Sequence, residues 1–230
     1  MTMNTEDKAL LERCATMGSS TWSDALDTCG IAGVVQGIPR RSGEGTAVGF
    51  ATTARHEWGS LGDFDRADFA VGRLVAATGP GRVLMVDVGG AAISTFGGIA
   101  SMAAAGRQAT AVVIDGGCRD TDEIRATGLT LASRWATPTT GKTRLKLQAM
   151  GERVTIGGIG VKEGDLVVVD DTGIVVVPRE KLHKVLAEAE RILAVDHTVE
   201  EGIRGGKTFA ESAADANYIP VKKSSARQDG

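Results

Sequence analysis

The sequence predicts an α/β fold made as one compact domain, and three observations predict it. Ala111 to Ile114 is continuously apolar, the double glycine Gly116-Gly117 follows, and a helical pattern resumes at about Thr121. The same order stands one unit earlier: a strand Val83–Val88 broken by Gly89-Gly90, then a helix opened by Gly97-Gly98. Continuous apolar runs suit strands covered on both faces, and strand–helix alternation favours a parallel sheet with right-handed crossovers. Thirdly, no linker divides the 230 residues, enough for one good core, so 1–230 is read as one domain.

Each element has its own reason. Leu10, Leu11, Cys14 and Met17 lie at helical spacing and end near Gly18. Ser20 or Ser23 caps a short helix carrying Trp22, Ala25 and Leu26, stopped by Gly30. Gly33 to Gly49 is turn-rich, with a strand over Ala47–Thr52, and His56–Asp65 reads as a surface loop. Phe69–Ala77 is helical, Gly79-Pro80-Gly81 is a turn, and Ile99–Arg107 is an alanine-rich helix. Val154–Val161, Leu166–Val169 and Ile174–Val177 are short β runs separated by turns. Leu182, Val185, Leu186, Ala189, Ile192 and Leu193 mark an amphipathic helix. The end, Lys222 to Gly230, is polar and expected to fray.

Composition excludes several classes. The net charge of -3 gives no basic footprint for nucleic acid. No apolar stretch approaches the ~20 residues needed to span a bilayer, and Met1–Ala9 is too polar for a signal peptide. Cys14, Cys29 and Cys118 form no CxxC, which fits a reducing, cytoplasmic setting. His56, His183 and His197 show no zinc-ligand spacing.

The residues with the most chemistry are Arg119 and Asp120, at the junction of a strand end and a helix start, where open α/β sheets bind ligands. A guanidinium grips a carboxylate or enolate through two hydrogen bonds, and a carboxylate holds Mg²⁺. The structural alternative is a capping box, with Asp120 as N-cap and Glu123 at N3. At Gly97-Gly98-Ile99-Ala100, unpaired helix N–H groups suit an anion, the alternative being a plain tight turn. The absence of GxGxxG and of a Walker lysine argues against a nucleotide. Lys142 is either a Schiff-base lysine or a solvated loop residue, and Cys118 either an activated thiol or a packing residue. Ser94 and Ser101 lack the GxSxG context of a serine hydrolase. His197, Glu200 and Glu201 read as a solvated helix face or as groups reaching a neighbouring subunit.

Taken together, Phe96-Gly97-Gly98, Val112 to Glu123, Gly164-Asp165-Leu166-Val167 and Asp170 to Pro178, with Ser23 to Asp27, resemble one family over residues 20–210. It comprises the class II 4-hydroxy-4-methyl-2-oxoglutarate / 4-carboxy-4-hydroxy-2-oxoadipate aldolases and the regulators of ribonuclease E activity A. The resemblance implies a swivelling-type β-core flanked by helices, and homotrimers or homohexamers with sites between subunits. It implies that Asp120 binds Mg²⁺ or Mn²⁺ directly, that Arg119 contacts the keto-acid end, and that Gly97, Gly98, Ile99 and Ala100 offer N–H groups to the pyruvyl carboxylate. Residues 196–230 would contact a neighbouring subunit, where Glu200 or Glu201 would hold metal-bound water. The chain departs from the aldolases at Gly98, where they carry an acid; restoring it as Gly98→Asp is expected to raise metal affinity.

The activity so implied is metal-dependent retro-aldol cleavage of a 4-hydroxy-2-oxo acid to pyruvate and a second carbonyl compound. Oxaloacetate decarboxylation, which needs the same enolate, is the expected side reaction. The alternative is a non-catalytic, protein-binding regulator of a ribonuclease. A class I aldolase built on Lys142 is the third reading.

Overall fold

The computed structural model describes residues 4–218. Helices α1 (Thr5–Cys14) and α2 (Ser19–Cys29) precede strands β1 (Val34–Val35), β2 (Arg40–Ser42) and β3 (Ala47–Trp58). A 3-10 turn (Arg66–Phe69) leads into α3 (Val71–Ala77), β4 (Arg82–Asp87), β5 (Ser94–Phe96), α4 (Gly98–Gly106), β6 (Ala111–Cys118), α5 (Thr121–Ala126) and β7 (Leu131–Ala136). Then come β8 (Leu145–Met150), β9 (Val154–Ile156), β10 (Ile159–Val161), β11 (Leu166–Val169) and β12 (Ile174–Val177), followed by α6 (Leu182–Arg204) and α7 (Phe209–Asp215). The polar stretch 222–230, and with it the end of the 196–230 extension, lies outside the described residues.

Ten strands form one mixed sheet in the order β1-β12-β11-β3-β4-β6-β7-β2, with β8 added to β3 and β5 to β6. Its centre, β3-β4-β6-β7, is parallel as expected, whereas β11, β12 and β8 pair antiparallel. Strand β3 joins the two regimes: Ala47 to Phe50 faces β11, Phe50 to Arg55 faces β4, and Ala54 to Trp58 faces β8.

Why the runs are continuously apolar follows from the two-residue period of a strand. Leu84, Val86, Val112 and Ile114 face a core beneath α3, α4 and α5, which also contains Leu74, Ala104 and Ile124. Their alternates Val83, Met85 and Val113 face an inner core shared with Val167, Val169, Ile174 and Val176 across the sheet and with the β9–β10 hairpin. The other side of β11 and β12, through Leu166, Val168, Val175 and Val177, packs under α1, α2 and α6. Every strand of the centre is therefore covered twice.

Several elements differ from the sequence reading. His56 to Trp58 is strand, because β8 pairs with the far end of β3; only the polar stretch after it is loop. The double glycine of β6 continues the strand through Cys118. A Cβ at Gly117 would stand 2.7 Å from Thr137 Cγ2 and 2.9 Å from Ile93 O, so these glycines admit the neighbouring chain. Helix α2 is capped by neither Ser20 nor Ser23: Gly18 is the N-cap, and Asp170 accepts from the Ser19 backbone N–H (2.7 Å) and hydroxyl (2.8 Å). The helix expected over Phe69–Ala77 is broken at Ala70, whose φ is 45°.

Candidate active site

The site forms where β5 and β6 end side by side. Their parallel pairing carries on past the strands: the Arg119 N–H donates to Phe96 O at 2.9 Å. That bond sets Arg119-Asp120 directly against Gly97-Gly98. A Cβ on Gly97 would stand 2.5 Å from Asp120 Oδ2 and 3.0 Å from Arg119 Nε, so the first glycine makes room for the pair.

Asp120 adopts a left-handed conformation (φ 55°, ψ 45°), an arrangement that Asp and Asn tolerate better than most residues. An N-cap that bonds its own helix sits in the extended region instead. Asp120 accordingly makes no side-chain cap bond to α5, and the capping box with Glu123 is not formed. Its Oδ2 accepts the Gly98 N–H at 3.1 Å, so it caps the neighbouring helix α4. An anion there also meets the positive end of that helix dipole. Arg119 Nε lies 3.5 Å from the same oxygen, and the two side chains are 38% and 37% exposed, open to a ligand.

The sequence reading assigned Glu123 to capping alone. In the fold its carboxylate stands over Gly98, filling the space that a Cβ there would occupy. Asp120 and Glu123 thus cover two consecutive glycines. Glu123 has no hydrogen-bond or ion-pair partner among the described residues. No local signal marked it: Asp120 stands outside helix α5, so the helix-face spacing does not join the two carboxylates, which meet only over the facing Gly97-Gly98 turn.

These residues border a cavity of about 530 Å³, whose wall also includes Thr95, Phe69, Val71 and Val75. Thr95 is 1% exposed, and its hydroxyl has no hydrogen-bond partner among the described residues. Buried hydroxyls are seldom left so. The neighbouring hydroxyls are engaged: Ser94 donates to Phe96 O (2.9 Å), and Thr140 Oγ1 accepts from the Lys142 N–H (3.3 Å).

Of the four expected N–H donors, that of Gly98 is taken by Asp120, which leaves that of the N-cap Gly97 and those of Ile99 and Ala100 in the first turn of α4. Lys142 reaches the cavity edge from an exposed position, without the dry surroundings a Schiff-base lysine requires. Cys118 is buried, burial pushes its thiol pKa up, and Ser133 Oγ donates to its sulfur at 3.2 Å; it is a packing residue. Glu200 and Glu201 lie on α6, outside this cavity within one chain, and Glu200 pairs with Arg204 at 3.3 Å.

A divalent cation fits the donor set. Among the described residues no three His, Cys, Asp or Glu side chains converge, so a closed zinc-type cage is not formed. Asp120 and Glu123 offer hard carboxylate oxygens, and Mg²⁺ is commonly held by one or two carboxylates with water and substrate oxygens completing its shell.

The sequence matches the profile of the RraA-like family, Aldolase/RraA, over residues 19–176. The chain belongs to this family. Among the relatives, Protein DlpA of Legionella pneumophila is 25% identical over 214 residues, covering 91% of this chain. The chain spans only 34% of DlpA's length. A putative 4-hydroxy-4-methyl-2-oxoglutarate aldolase of Halalkalibacterium halodurans is 26% identical over 189 residues, covering 82% of this chain and 85% of that protein. RraAS2 of Streptomyces coelicolor, described as an unusual member of the RNase ES inhibitor RraA protein family, superposes with a TM-score of 0.72 at 25% identity, covering 90% of this chain and 99% of its own. The RraA-like fold, a mixed sheet flanked by helices, is thus the one expected. Among the described residues no helix is long and apolar enough to cross a membrane.

Proposed function

We propose that this chain is a divalent-metal-dependent lyase cleaving the C3–C4 bond of a 4-hydroxy-2-oxo acid. The observation that carries the reading is the convergence of Arg119, Asp120 and Glu123 on one cavity at the α4 N-terminus. Asp120 and Glu123 would hold Mg²⁺ or Mn²⁺, which when bound supplies a Lewis acid to the keto oxygen.

The chain's own groups account for the remaining steps. The N–H groups of Ile99 and Ala100 receive the substrate carboxylate at the helix N-terminus. Arg119 donates to the C2 oxygen, where negative charge develops. Glu123 takes the proton of the C4 hydroxyl. The C3–C4 electron pair then forms the C2–C3 double bond, C4 leaves as a carbonyl, and protonation at C3 gives pyruvate. Oxaloacetate decarboxylation needs only the enolate half of this sequence. Glu200 or Glu201 from a neighbouring subunit would support water at the same site in a trimer or hexamer.

The test is pyruvate release from oxaloacetate and from a 4-hydroxy-2-oxo acid, with and without EDTA, for wild type and Asp120→Ala. Turnover abolished by EDTA and by the substitution supports the lyase. Wild-type turnover in Asp120→Ala removes that residue's role. Activity surviving EDTA, with borohydride trapping of pyruvate, supports Lys142 instead. Absence of turnover with every 2-oxo acid favours a binding protein, the role named for the Streptomyces relative.

A further inference from the structure

Beyond its charged end, the cavity is hydrocarbon. Phe69, Val71 and Val75 line it from the 3-10 turn and α3, and Ile99, Ala100 and Ala103 from the facing side of α4. Among the described residues its cationic lining is Arg119 and Lys142, the latter exposed on the β7–β8 connection. The hydroxyls of Ser94 and Thr140 are engaged within the protein. Among the described hydroxyls of the wall, that of Thr95 is buried and uncommitted, and a neutral hydroxyl suits a hydroxyl or carbonyl partner as readily as an anion.

Such a wall discriminates between tails. A carboxylate set against α3 and α4 would lose hydration without gaining a partner. A hydrocarbon tail would gain about fourfold in affinity for each methylene buried. We infer that the group attached to C4 of the substrate is uncharged hydrocarbon, so the substrate class is an aliphatic or aromatic 4-hydroxy-2-oxo acid, not a di- or tricarboxylate. This rests on the lyase reading for its charged end, while the α3–α4 wall carries the distinction between tails.

Binding of matched inert analogues to the full chain in Mg²⁺ tests it without turnover. N-propyl oxamate and N-oxalylglycine share the oxalyl end and differ only in a propyl or a carboxymethyl tail. Calorimetry is expected to show N-propyl oxamate binding at least about tenfold tighter, and N-butyl oxamate a further fourfold or so. Ala103→Arg puts a guanidinium into the wall at an exposed helix position and is expected to reverse the order. Val75→Ala is the milder variant, weakening the propyl ligand several-fold and leaving N-oxalylglycine unchanged. Equal or tighter binding of N-oxalylglycine by the wild type overturns the inference while sparing the lyase reading. So does a selective loss of N-oxalylglycine binding in Lys142→Ala, which would make that lysine the partner of a distal carboxylate. Failure of both oxamates to bind overturns this inference and the 2-oxo-acid reading together.

Discussion

The Glu123 carboxylate occupies the space that a side chain on Gly98 would need. The acid absent from position 98 therefore has a spatial counterpart on α5, one helical turn beyond Asp120. This changes the expectation for Gly98→Asp. The new carboxylate would press against Glu123, and two adjoining carboxylates do not ionise independently. Overpacking of this kind costs about 1–3 kcal/mol. The single variant should melt lower and bind Mn²⁺ no more tightly than wild type, whereas Gly98→Asp with Glu123→Ala should recover both. Mn²⁺ titration by electron paramagnetic resonance, with thermal unfolding of the double-mutant cycle, reads the coupling. Tighter Mn²⁺ binding by the single variant at an unchanged melting temperature would show that Glu123 yields freely.

Asp120 carries two separable duties, an acceptor for the Gly98 N–H and a charge facing the cavity. Asp120→Asn keeps the acceptor and is at home at φ 55°, but loses the charge. Asp120→Ala loses both and adds the cost of a left-handed alanine, about 1–2 kcal/mol. Chemical denaturation should place Asn near wild type and Ala about 2 kcal/mol or more below it, with lyase turnover falling by more than roughly 100-fold in both. An Asn variant that turns over normally would confine Asp120 to its structural duty. Arg119→Lys should be nearly as damaging as Arg119→Ala, since an ammonium cannot reproduce the planar fork.

How much of this was legible in the sequence depends on the range of the interaction involved. The parallel strands and helices between Arg82 and Ala126 follow a local period, and Arg119-Asp120 stood out by chemistry alone. The antiparallel reach of β3 to Trp58 was hidden because its partner, β8, lies ninety or so residues away along the chain. The capping box failed because a single backbone angle at Asp120 turns its carboxylate from α5 to α4. Glu123 and Thr95 were invisible as site residues because their roles arise only where β5 and β6 end together. The cavity wall from α3 had no local signature, since Val71 and Val75 lie in a segment that reads only as helical.

Thr95→Val separates ligand binding from folding by sign. The Thr95 hydroxyl is buried and unpartnered among the described residues, so its removal relieves a desolvation cost of about 1–3 kcal/mol. Valine keeps the branched shape and the strand preference. The variant should unfold at higher denaturant concentration, yet bind oxamate more weakly. A loss of stability would mean that the hydroxyl has a partner in the folded protein.

His56 sets a window in pH. It is 4% exposed, Nε2 lies 3.4 Å from Phe69 O, and Nδ1 has no partner among the described residues. Burial lowers its pKa from 6.5 to about 4, against a smaller opposing effect of the Phe69 carbonyl. Between those values the unfolded chain binds a proton that the folded chain excludes, so stability falls as the pH drops. Above 6.5 both states are neutral and His56 contributes no slope. Below about 4 both are charged and the loss is complete. One pKa unit corresponds to about 1.4 kcal/mol, so the window amounts to about 3 kcal/mol in all. Denaturation of wild type and His56→Gln from pH 7.5 to 3.5 reads it as a difference, which cancels the carboxylates titrating lower in the range. The wild type should lose stability relative to the variant mainly between pH 6.5 and 4; parallel curves through that interval would mean that the imidazole takes up its proton in place.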